Sequence, residues 1–563
     1  MKQLIECVPN FSEGRDLAII KQITDVIETV EGVKLLDVDP GKATNRTVVT
    51  VVGEPEPVVE AAFRAIQKAS ELIDMRQHHG EHPRFGATDV CPLVPIANIS
   101  MEETVGYVKK LGKLVGDKLK IPVYLYEFAA SKPEWKNLAI VRSGEYEGLA
   151  DKIIQAKWKP DYGPAEFNAQ SGATAISARN FLIAYNINLN TTSVRRATAI
   201  AFDVREQGRI KREGNPITGK VVKDKQGNPV RIPGALKSVK AIGWFIEEYG
   251  VAQISMNLTD ITITTLHQAF DEVCEKARAR GIRVTGSELV GLIPKQAMID
   301  AGKYFLSKQQ RSLGISEDEL IKIAVKSMGL DELGPFDPNK KIIEYLLEDT
   351  STSPLIHLDL KGFANETASE SPAPGGGSIS AYIGALGISL ATMVANLSSH
   401  KRGWDERWEE FSQWAEKGQK IKDQLMNLVD EDTHAFNAIM AAFGLPKSSG
   451  EEIKARQLAI QQATIGAIEV PFKVMELSME SMEIIKVMAK SGNPASVSDA
   501  GVGALCARSA VLGAYLNVKI NAAGLDDKKW IAEKLKKGQQ LVDQAQKYEK
   551  EILQLVNKII KNT

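Results

Sequence analysis

Three of the seven histidines fall within one five-residue stretch, beside other titratable side chains. The whole group is His78, His79, Glu81, His82, Arg84 and Asp89. Because the imidazole pKa lies near neutrality, such a group can accept and donate protons at physiological pH. Gly80 and Pro83 argue against a continuous helix, since proline lacks an amide donor and restricts the preceding residue. The sequence therefore predicts an ordered loop with acid–base chemistry.

Two other interpretations of this histidine loop remain open. His78 and His82 have the i, i+4 spacing of a metal site if the segment were helical. Alternatively, loop histidines can simply hydrogen-bond the backbone. The residues alone favour catalysis over either alternative.

A second candidate is a carboxylate on an apolar helix face. Helical periodicity is predicted from Glu406 to Met440, and its apolar face is formed by Ile421, Leu425, Leu428, Phe436 and Ile439. Asp432 falls near the centre of this face, whereas Asp430 points the opposite way. A carboxylate in an apolar face has a raised pKa unless it is paired, which suits acid–base work. A structural aspartate that caps a helix or pairs with a neighbour is the alternative.

Two glycine-containing loops could complete a pocket with that aspartate. Gly375, Gly376 and Gly377 precede an uncharged helix, where backbone amides could approach an anion. Asn493, Ser498 and Asp499 offer a second polar lip for the same pocket. Helix packing or a tight turn would explain the three glycines about as well, and Asp499 could equally be an N-cap.

Polar residues also follow several predicted strands near the N-terminus. Asn10, Asn45 and Arg46 lie at such strand ends, where ligand groups are common, although turn formation is the more ordinary role. Tyr162–Asn190 is predicted to be a polar, glycine-containing loop that feeds a strand and could line a cleft.

The elements that position these residues are predicted to be two α/β units followed by a helical region. The first unit has the order βαββα with further strands at Val90–Pro95 and Val123–Phe128. The second unit, from Phe181 to Pro294, repeats βαββαβ. That order predicts two ferredoxin-like subdomains. After about residue 340, helical periodicity continues to the end.

Composition narrows the class of protein. A length of 563 residues requires several domains, and 70 Lys and Arg against 71 Asp and Glu give no global attraction to nucleic acid or anionic membrane. Four dispersed cysteines without a C-x-x-C pair favour the reducing cytosol. The uncharged segment Ser371–Ser399 is expected to be a buried bundle helix because its polar residues dilute its apolar character.

One further segment is predicted to project from the second unit. Ile210–Pro233 contains two Gly-Asn-Pro turns and an excess of basic side chains. It predicts a solvated basic hairpin, with attraction of an anionic ligand as the alternative.

Several strings together resemble one enzyme family. ECVPNFSEGR, HHGEHPRFGATDVCP, DYGP, FLIAYNINL, REQGR, AQISMNLTD and GSELVGLIP, in order over residues 1 to about 330, resemble glutamate formimidoyltransferases. SPAPGGGSISA, LVDEDTHAFNAIMAAFGLPK and GNPASVSDAGVGA resemble the cyclodeaminase half of the bifunctional formimidoyltransferase-cyclodeaminase family. The domains expected from this resemblance are residues 1–178 and 179–335 for the transferase subdomains, a linker at 336–357 and a cyclodeaminase at 358–563.

For the first half, the resemblance implies transfer of a formimidoyl group from N-formimidoylglutamate to N5 of tetrahydrofolate. The family's catalytic histidine matches His82, with His78 and His79 assisting. Its folate-binding segment matches Gly163, Pro164, Ala165, Glu166, Phe167, Asn168, Ala169, Gln170, Ser171 and Gly172. The hairpin at Ile210–Pro233 is an insertion relative to the family pattern.

For the second half, the resemblance implies ring closure of 5-formimidoyltetrahydrofolate to 5,10-methenyltetrahydrofolate with loss of ammonia. The family's catalytic aspartate lies in the stretch that contains Asp430 and Asp432, and periodicity favours Asp432. Tetrahydrofolate, free or as its polyglutamates, is then a co-substrate, and no metal, nucleic acid or membrane is implied. Self-association is expected because the amphipathic stretch Lys528–Lys561 needs a partner face.

Three rival functions follow from the same residues. The helical region could be a non-catalytic oligomerising module beside a working transferase. The histidine loop could serve a metal hydrolase. A folate-binding scaffold without turnover is the third.

Overall fold

The computed structural model describes residues 3–42, 44–80, 83–215, 218–347 and 355–562. Its contacts divide the chain into two units. The first comprises Met1–Met298 and Met328–Glu348, and the second comprises Ile299–Ser327 and Asp349–Thr563. An α/β region followed by an all-helical region is confirmed.

A mixed seven-stranded sheet begins the first unit. Its strands are β1 (Leu4–Cys7), β2 (Asn10–Phe11), β3 (Val33–Gly41), β4 (Arg46–Gly53), β5 (Thr88–Ala97), β6 (Val123–Glu127) and β7 (Thr174–Ala178). The antiparallel part runs β3, β4, then β1 with β2, then β5, after which β7 and β6 continue in parallel. The helices of this region are α1 (Leu17–Glu28), α2 (Pro55–Leu72), α3 (Met101–Leu114), α4 (Leu138–Val141) and α5 (Leu149–Ile153).

Local signals in the sequence explain the start of these helices. The Asp16 carboxylate accepts hydrogen bonds from the first-turn amides of α1, and Ser100 with Glu103 forms a capping box on α3. Cys7 and Cys91, distant in sequence, are both buried under α2 and α3 with their sulfur atoms 3.5 Å apart.

Strand β7 corrects the expectation of a loop over Tyr162–Asn190. All five of its residues are buried, and it lies between β5 and β6. Its sequence of alanine, serine and threonine around Ile176 lacks the alternation and bulky β-branched residues that mark most strands. Burial between two parallel neighbours, a tertiary effect, makes it a strand.

The second sheet contains four antiparallel strands in the order β13, β14, β8, β15. From β8 onward the elements are β8 (Ile183–Leu189), α6 (Val194–Val204), β9 (Arg209–Ile210), β10 (Arg212–Glu213), β11 (Lys220–Val221), β12 (Arg231–Ile232), β13 (Val239–Ile246), β14 (Val251–Leu258), α7 (Leu266–Arg278) and β15 (Val284–Val290). Pairing of β10 with β11 and of β12 with β9 confirms the predicted basic hairpin, of which residues 216 and 217 lie outside the described part.

Short helices then connect the two regions. They are α8 (Lys295–Lys308), α9 (Glu317–Met328), α10 (Pro338–Lys341) and α11 (Ile343–Leu347). Residues 299–327, within α8, its loop and α9, group with the helical unit by their contacts.

Long helices build the second unit around one large apolar core. They are α12 (Leu360–Thr367), α13 (Gly376–Ser399), α14 (Trp408–Phe443), α15 (Gly450–Ser491), α16 (Val497–Ala522) and α17 (Lys528–Asn562). The apolar face of α17 is buried within the chain, with Ala545 and Ile552 in the same core as α15 and α16. This helix therefore finds its partner face within the same chain. The prediction that α17 needs a second copy to cover its apolar face was wrong.

Two of these helices, α13 and α16, are long and apolar enough to span a membrane by length and composition. The most apolar window of α13 is 61% buried inside the chain and that of α16 is 50% buried. A core helix of a bundle passes the same test, so this is weak support for a membrane span.

Candidate functional sites

His78 is the best-defined member of the histidine loop, because both ring nitrogens have partners. Arg84 donates from Nε to His78 Nδ1 at 3.2 Å, and Nε2 lies 2.7 Å from the carbonyl oxygen of Asn45. The ring proton therefore belongs on Nε2. Burial, assisted by Arg84, lowers the pKa of His78, so the neutral ring holds the loop in place.

Asn45 ties this loop to the turn after β2. Its side-chain oxygen accepts from the Gly14 amide at 3.0 Å, and its amide nitrogen donates to the His79 carbonyl at 3.1 Å. The residue adopts a left-handed φ of 48°, a conformation that asparagine tolerates better than most residues. Asn45 therefore shapes the loop through its own hydrogen bonds, while His79 is exposed beside it.

Asp89 is the centre of a buried ionic network at the same edge of the first sheet. It is fully buried and pairs with both Arg46 and Arg142, the latter at 2.7 Å. Arg46 also donates from Nε to the Asn10 side chain at 3.1 Å, and Arg142 donates to the Pro83 carbonyl at 3.1 Å. Two guanidinium groups therefore share the single carboxylate of Asp89 beside the histidine loop.

Arg84 forms the wall of an open cavity of about 500 Å³ next to this network. It pairs with Glu147 at 2.6 Å and with Glu145 at 3.2 Å. His79 and Gly80 line the same cavity. The pocket is therefore polar, lined by positively and negatively charged side chains and by the exposed imidazole of His79.

The segment matched to folate binding reaches this edge with its second half. Gln170 accepts from the Met75 amide at 2.9 Å, and Ser171 accepts from the Ala87 amide at 2.8 Å, both through their carbonyl oxygens. The Phe167 ring packs on Tyr146 at 5.4 Å. Gly163, in contrast, packs on the backbone of Ile121, away from the loop.

The predicted catalytic His82 and its neighbour Glu81 lie outside the described residues. Among the residues described, groups of three or more His, Cys, Asp or Glu suited to a metal ion are absent. Because His82 is not among them, a metal in this loop stays a rival hypothesis.

Sequence reasoning gave no role to the turn Arg142–Glu147, which supplies three ionic partners and Tyr146. Lys152 stabilises the start of this turn, because its buried Nζ donates to the carbonyl oxygens of Val141 at 2.6 Å and Ser143 at 2.9 Å. The string RSGEYEG, with charges set between two glycines, is the signal that could have indicated a binding turn.

Asp432, on α14, directs its carboxyl group to the first turn of α13. Its Oδ2 accepts from the Ser378 amide at 2.8 Å and from the Ser378 hydroxyl at 3.1 Å. A Cβ on Gly377 would lie 2.1 Å from Asp432 Oδ1, so only glycine fits there. Burial raises the pKa of Asp432 even though the Ser378 hydrogen bonds oppose it. The carboxyl is therefore poised for proton transfer while also capping α13.

Asp430 points away from Asp432, as periodicity predicted. Its Oδ1 accepts from the Leu355 amide at 2.7 Å. Phe436 differs from its predicted place on the buried face, because it is 38% exposed. Neighbouring helices bury the apolar side chains of α14 up to Val429, whereas Phe436 and Met440 further along the helix are exposed.

Asp499 corrects another expectation, that its loop shares a pocket with Gly375–Gly377. The preceding Asn493 donates its amide to Ser398, at the opposite end of α13. With a rise of about 1.5 Å per residue, the two ends of this helix are roughly 33 Å apart. Within one chain the two loops therefore cannot line one pocket. Asp499 lies in the first turn of α16, whose N-cap is Ser496.

Family models match the chain in three consecutive parts. They are described as Formiminotransferase domain, N-terminal subdomain, over residues 4–179, Formiminotransferase domain over residues 184–348, and Formiminotransferase-cyclodeaminase over residues 359–557.

Curated relatives match the whole chain or one half of it. The formimidoyltransferase-cyclodeaminase of Mus musculus is 42% identical over 528 residues, 94% of each chain. A glutamate formimidoyltransferase of Streptococcus pyogenes is 40% identical over 306 residues, 54% of this chain and 94% of that one. A methenyltetrahydrofolate cyclohydrolase of Methylorubrum extorquens is 37% identical over 186 residues, 33% of this chain and 89% of that one. Since the mouse relative matches over nearly its full length and the three models follow in order, the chain belongs to the formimidoyltransferase-cyclodeaminase family.

Proposed function

We propose that this chain is a bifunctional folate enzyme. Its first half transfers the formimidoyl group of N-formimidoyl-L-glutamate to N5 of tetrahydrofolate and releases glutamate. Its second half closes 5-formimidoyltetrahydrofolate to 5,10-methenyltetrahydrofolate and releases ammonia. The convergence of the histidine loop, the Asp89 network and residues 168–172 at one sheet edge carries the first activity.

In the transfer step, N5 attacks the amidine carbon and loses a proton, while the departing glutamate nitrogen gains one. We assign this proton transfer to His82. His78 keeps the loop in place as a neutral ring, and the guanidinium groups of Arg46 and Arg142 beside Asp89 suit a carboxylate of either substrate. Asn10, Asn45, Arg46, His79 and residues 163–172 remain the proposed binding set.

In the ring closure, N10 attacks the amidine carbon and loses a proton, and the leaving nitrogen takes up a proton as ammonia departs. Asp432 is the proposed carrier because burial raises its pKa toward the range where one carboxyl can both accept and donate. Gly377 makes room for this carboxyl at the start of α13, and the exposed Gly376 leaves the adjoining backbone open to a ligand. Asp430, whose carboxylate is bound by the Leu355 amide, is the alternative carrier.

A three-protein assay tests both assignments. Methenyltetrahydrofolate absorbance and glutamate release are followed for the wild type, His82→Ala and Asp432→Ala, with 5-formimidoyltetrahydrofolate supplied separately. We expect the histidine variant to lose transfer and retain ring closure, and the aspartate variant to do the reverse. Glutamate release without methenyl product in the wild type would leave only a transferase, and dependence of transfer on a metal removed by chelation would support the hydrolase-like rival.

Hydrolysis of methenyltetrahydrofolate is a second candidate for the helical half, because a relative of that half is named for it. Purified protein mixed with methenyltetrahydrofolate alone tests this activity. Loss of absorbance faster than the buffer rate, and sensitive to Asp432→Ala, would establish it.

We also propose that the chain self-associates through α13 and α16. These helices cross closely at Gly387 and Gly503, and each exposes a stripe of apolar side chains. The exposed members are Leu386, Met393, Leu397, Val502, Leu505, Leu516 and Ile520. A two-fold copy on this face would carry its own Asp499 toward the end of α13 that holds Gly377. Light scattering that returns the mass of one chain would contradict this.

Finer features of the fold and location belong to the same proposal. The strand orders β3, β4, β1, β5 and β13, β14, β8, β15 support two ferredoxin-like subdomains, which an experimental structure would test. The low cysteine content supports a cytosolic location, which fractionation would test. Polyglutamate co-substrates are proposed as well, to be tested by comparing KM across chain lengths.

A further inference from the structure

Helices α8 and α9 lie within the transferase half of the sequence, but most of their residues contact the helical unit. The family model of the transferase domain covers residues 184–348, yet residues 299–327 group with the helical unit. The chain thus leaves the first unit after Met298, returns to it at Met328 and leaves again after Glu348.

The loop between α8 and α9 is fixed in the helical unit by buried hydrogen bonds. Ser312 donates to the Asn396 side chain on α13 at 2.6 Å, and Asn396 donates back to the Gly314 carbonyl at 2.9 Å. The Leu313 amide donates to Ser412 on α14 at 2.9 Å. Ser312 and Ser412 are 1% and 2% exposed, so water competes poorly for the hydrogen bonds of these two hydroxyl groups.

Steric fit and charge reinforce this docking. A Cβ on Gly314 would lie 2.3 Å from the carbonyl carbon of Ala415 on α14. The loop therefore lies directly on the helix backbone. Along α8, Lys303 pairs with Glu416 of α14 at 2.7 Å.

The other end of the hairpin is anchored in the first unit. Ser287 on β15 donates its hydroxyl to the Met328 carbonyl at 2.7 Å, and its amide donates to the Gly329 carbonyl at 2.9 Å. The hairpin is thus held at Met328 by the second sheet and at Ser312–Gly314 by α13 and α14.

We propose that residues 299–327 are an intramolecular clasp that holds the helical half to the transferase half independently of the connector at residues 348–354. The clasp requires neither enzymatic activity. It makes the helical unit discontinuous in sequence, so a cut in the connector leaves part of that unit on the N-terminal fragment.

An engineered protease site inserted within residues 348–354 of the full chain tests the clasp. After cleavage, we expect both fragments to elute together from a sizing column in buffer without denaturant, at equal molar amounts. Separation of the fragments would overturn the proposal.

Variants of the cut protein show whether the clasp is the cause. Gly314→Leu places a side chain into the α14 backbone, so the fragments should separate. Gly450→Leu is the matched control, because a Cβ at Gly450 meets nothing within 4 Å, and it should leave them together. Asn396→Ala, a milder change that removes two hydrogen bonds, should lower the co-eluting fraction at least threefold. Full co-elution of both Gly314→Leu and Asn396→Ala would also overturn the proposal.

Discussion

His78 and Asp432 have protonation states set by their surroundings. The neutral His78 ring donates to one backbone carbonyl and accepts from Arg84. Asp432 accepts two hydrogen bonds, but its burial disfavours the charge. The two shifts have opposite consequences for the pH dependence of stability.

Replacement of Asp432 by Asn should separate catalysis from stability. Ring closure should fall about 100-fold or more, the usual contribution of a general acid–base. Because the folded-state pKa of Asp432 is raised, the folded chain binds more protons than the unfolded chain between the two pKa values, and the cost of the buried charge is fully present above the folded value. Melting scans should therefore show the variant equal to or more stable than the wild type at pH 8, with the gain vanishing near pH 3.

Replacement of His78 by Ala should destabilise the chain by about 1–3 kcal/mol at pH 7.5, since Arg84 and the Asn45 carbonyl lose a buried partner. The folded-state pKa of His78 is lowered, so the unfolded chain binds more protons as the pH falls below about 6.5. Its stabilising contribution is thus lost on acidification. Urea unfolding should show a smaller difference between variant and wild type at pH 5 than at pH 7.5, and an unchanged difference would contradict the neutral tautomer.

Two glycines at the start of α13 lie next to each other yet meet different surroundings. Gly377 faces the Asp432 carboxyl at close range, whereas a Cβ on Gly376 would stay 3.4 Å from Asn517. Of the two glycines, only Gly377 is needed to make room for the Asp432 carboxyl.

Gly377→Ala should reduce ring closure at least tenfold, because the added methyl must displace the Asp432 carboxyl. Gly466→Ala, within α15, is the control because a Cβ there would meet nothing within 4 Å, and it should retain most of the activity. Assays with supplied 5-formimidoyltetrahydrofolate compare the two, and equal activities would show that the carboxyl position is not critical.

The turn Arg142–Glu147 depends on one buried ammonium group. Lys152→Met should lower transfer at least tenfold and leave ring closure unchanged, because two backbone carbonyls lose their donor and the turn that carries Arg142 loosens. Lys152→Arg should recover part of the activity. Initial rates of glutamate release measure both variants.

Lys152 should also be visible in the pH dependence of stability. Burial lowers its pKa to about 8, so above that pH the unfolded chain binds more protons and stability rises with pH until about 10.4, where the unfolded side chain titrates. Chemical unfolding between pH 7.5 and 9.5 should show this slope in the wild type, and Lys152→Met should lack it.

The two proposed sites lie in separate units of the chain, and the proposed self-association concerns the helical unit. Leu516→Glu places a charge in the exposed stripe of α16 and should give a smaller species in light scattering. If Asp499 of a second copy completes the site near Gly377, the variant with the smaller mass should also lose ring-closure activity. Its transfer activity should persist. Gln546→Glu, at an exposed position of α17 outside this stripe, is the control for an added charge. Unaltered mass in Leu516→Glu would move the interface elsewhere.

Periodicity, capping residues and local motifs are properties of neighbours along the chain, so they sufficed to predict the succession of elements, the α/β and helical halves and the candidate histidines and aspartates. The three-dimensional structure was needed to show that Thr174–Ala178 is a strand, that Arg142 and Lys152 support the first site, and that Asp499 lies far from Gly377. It also placed residues 299–327 with the helices that follow them. These features depend on burial and pairing between residues distant in sequence, for which no local pattern encodes the partner.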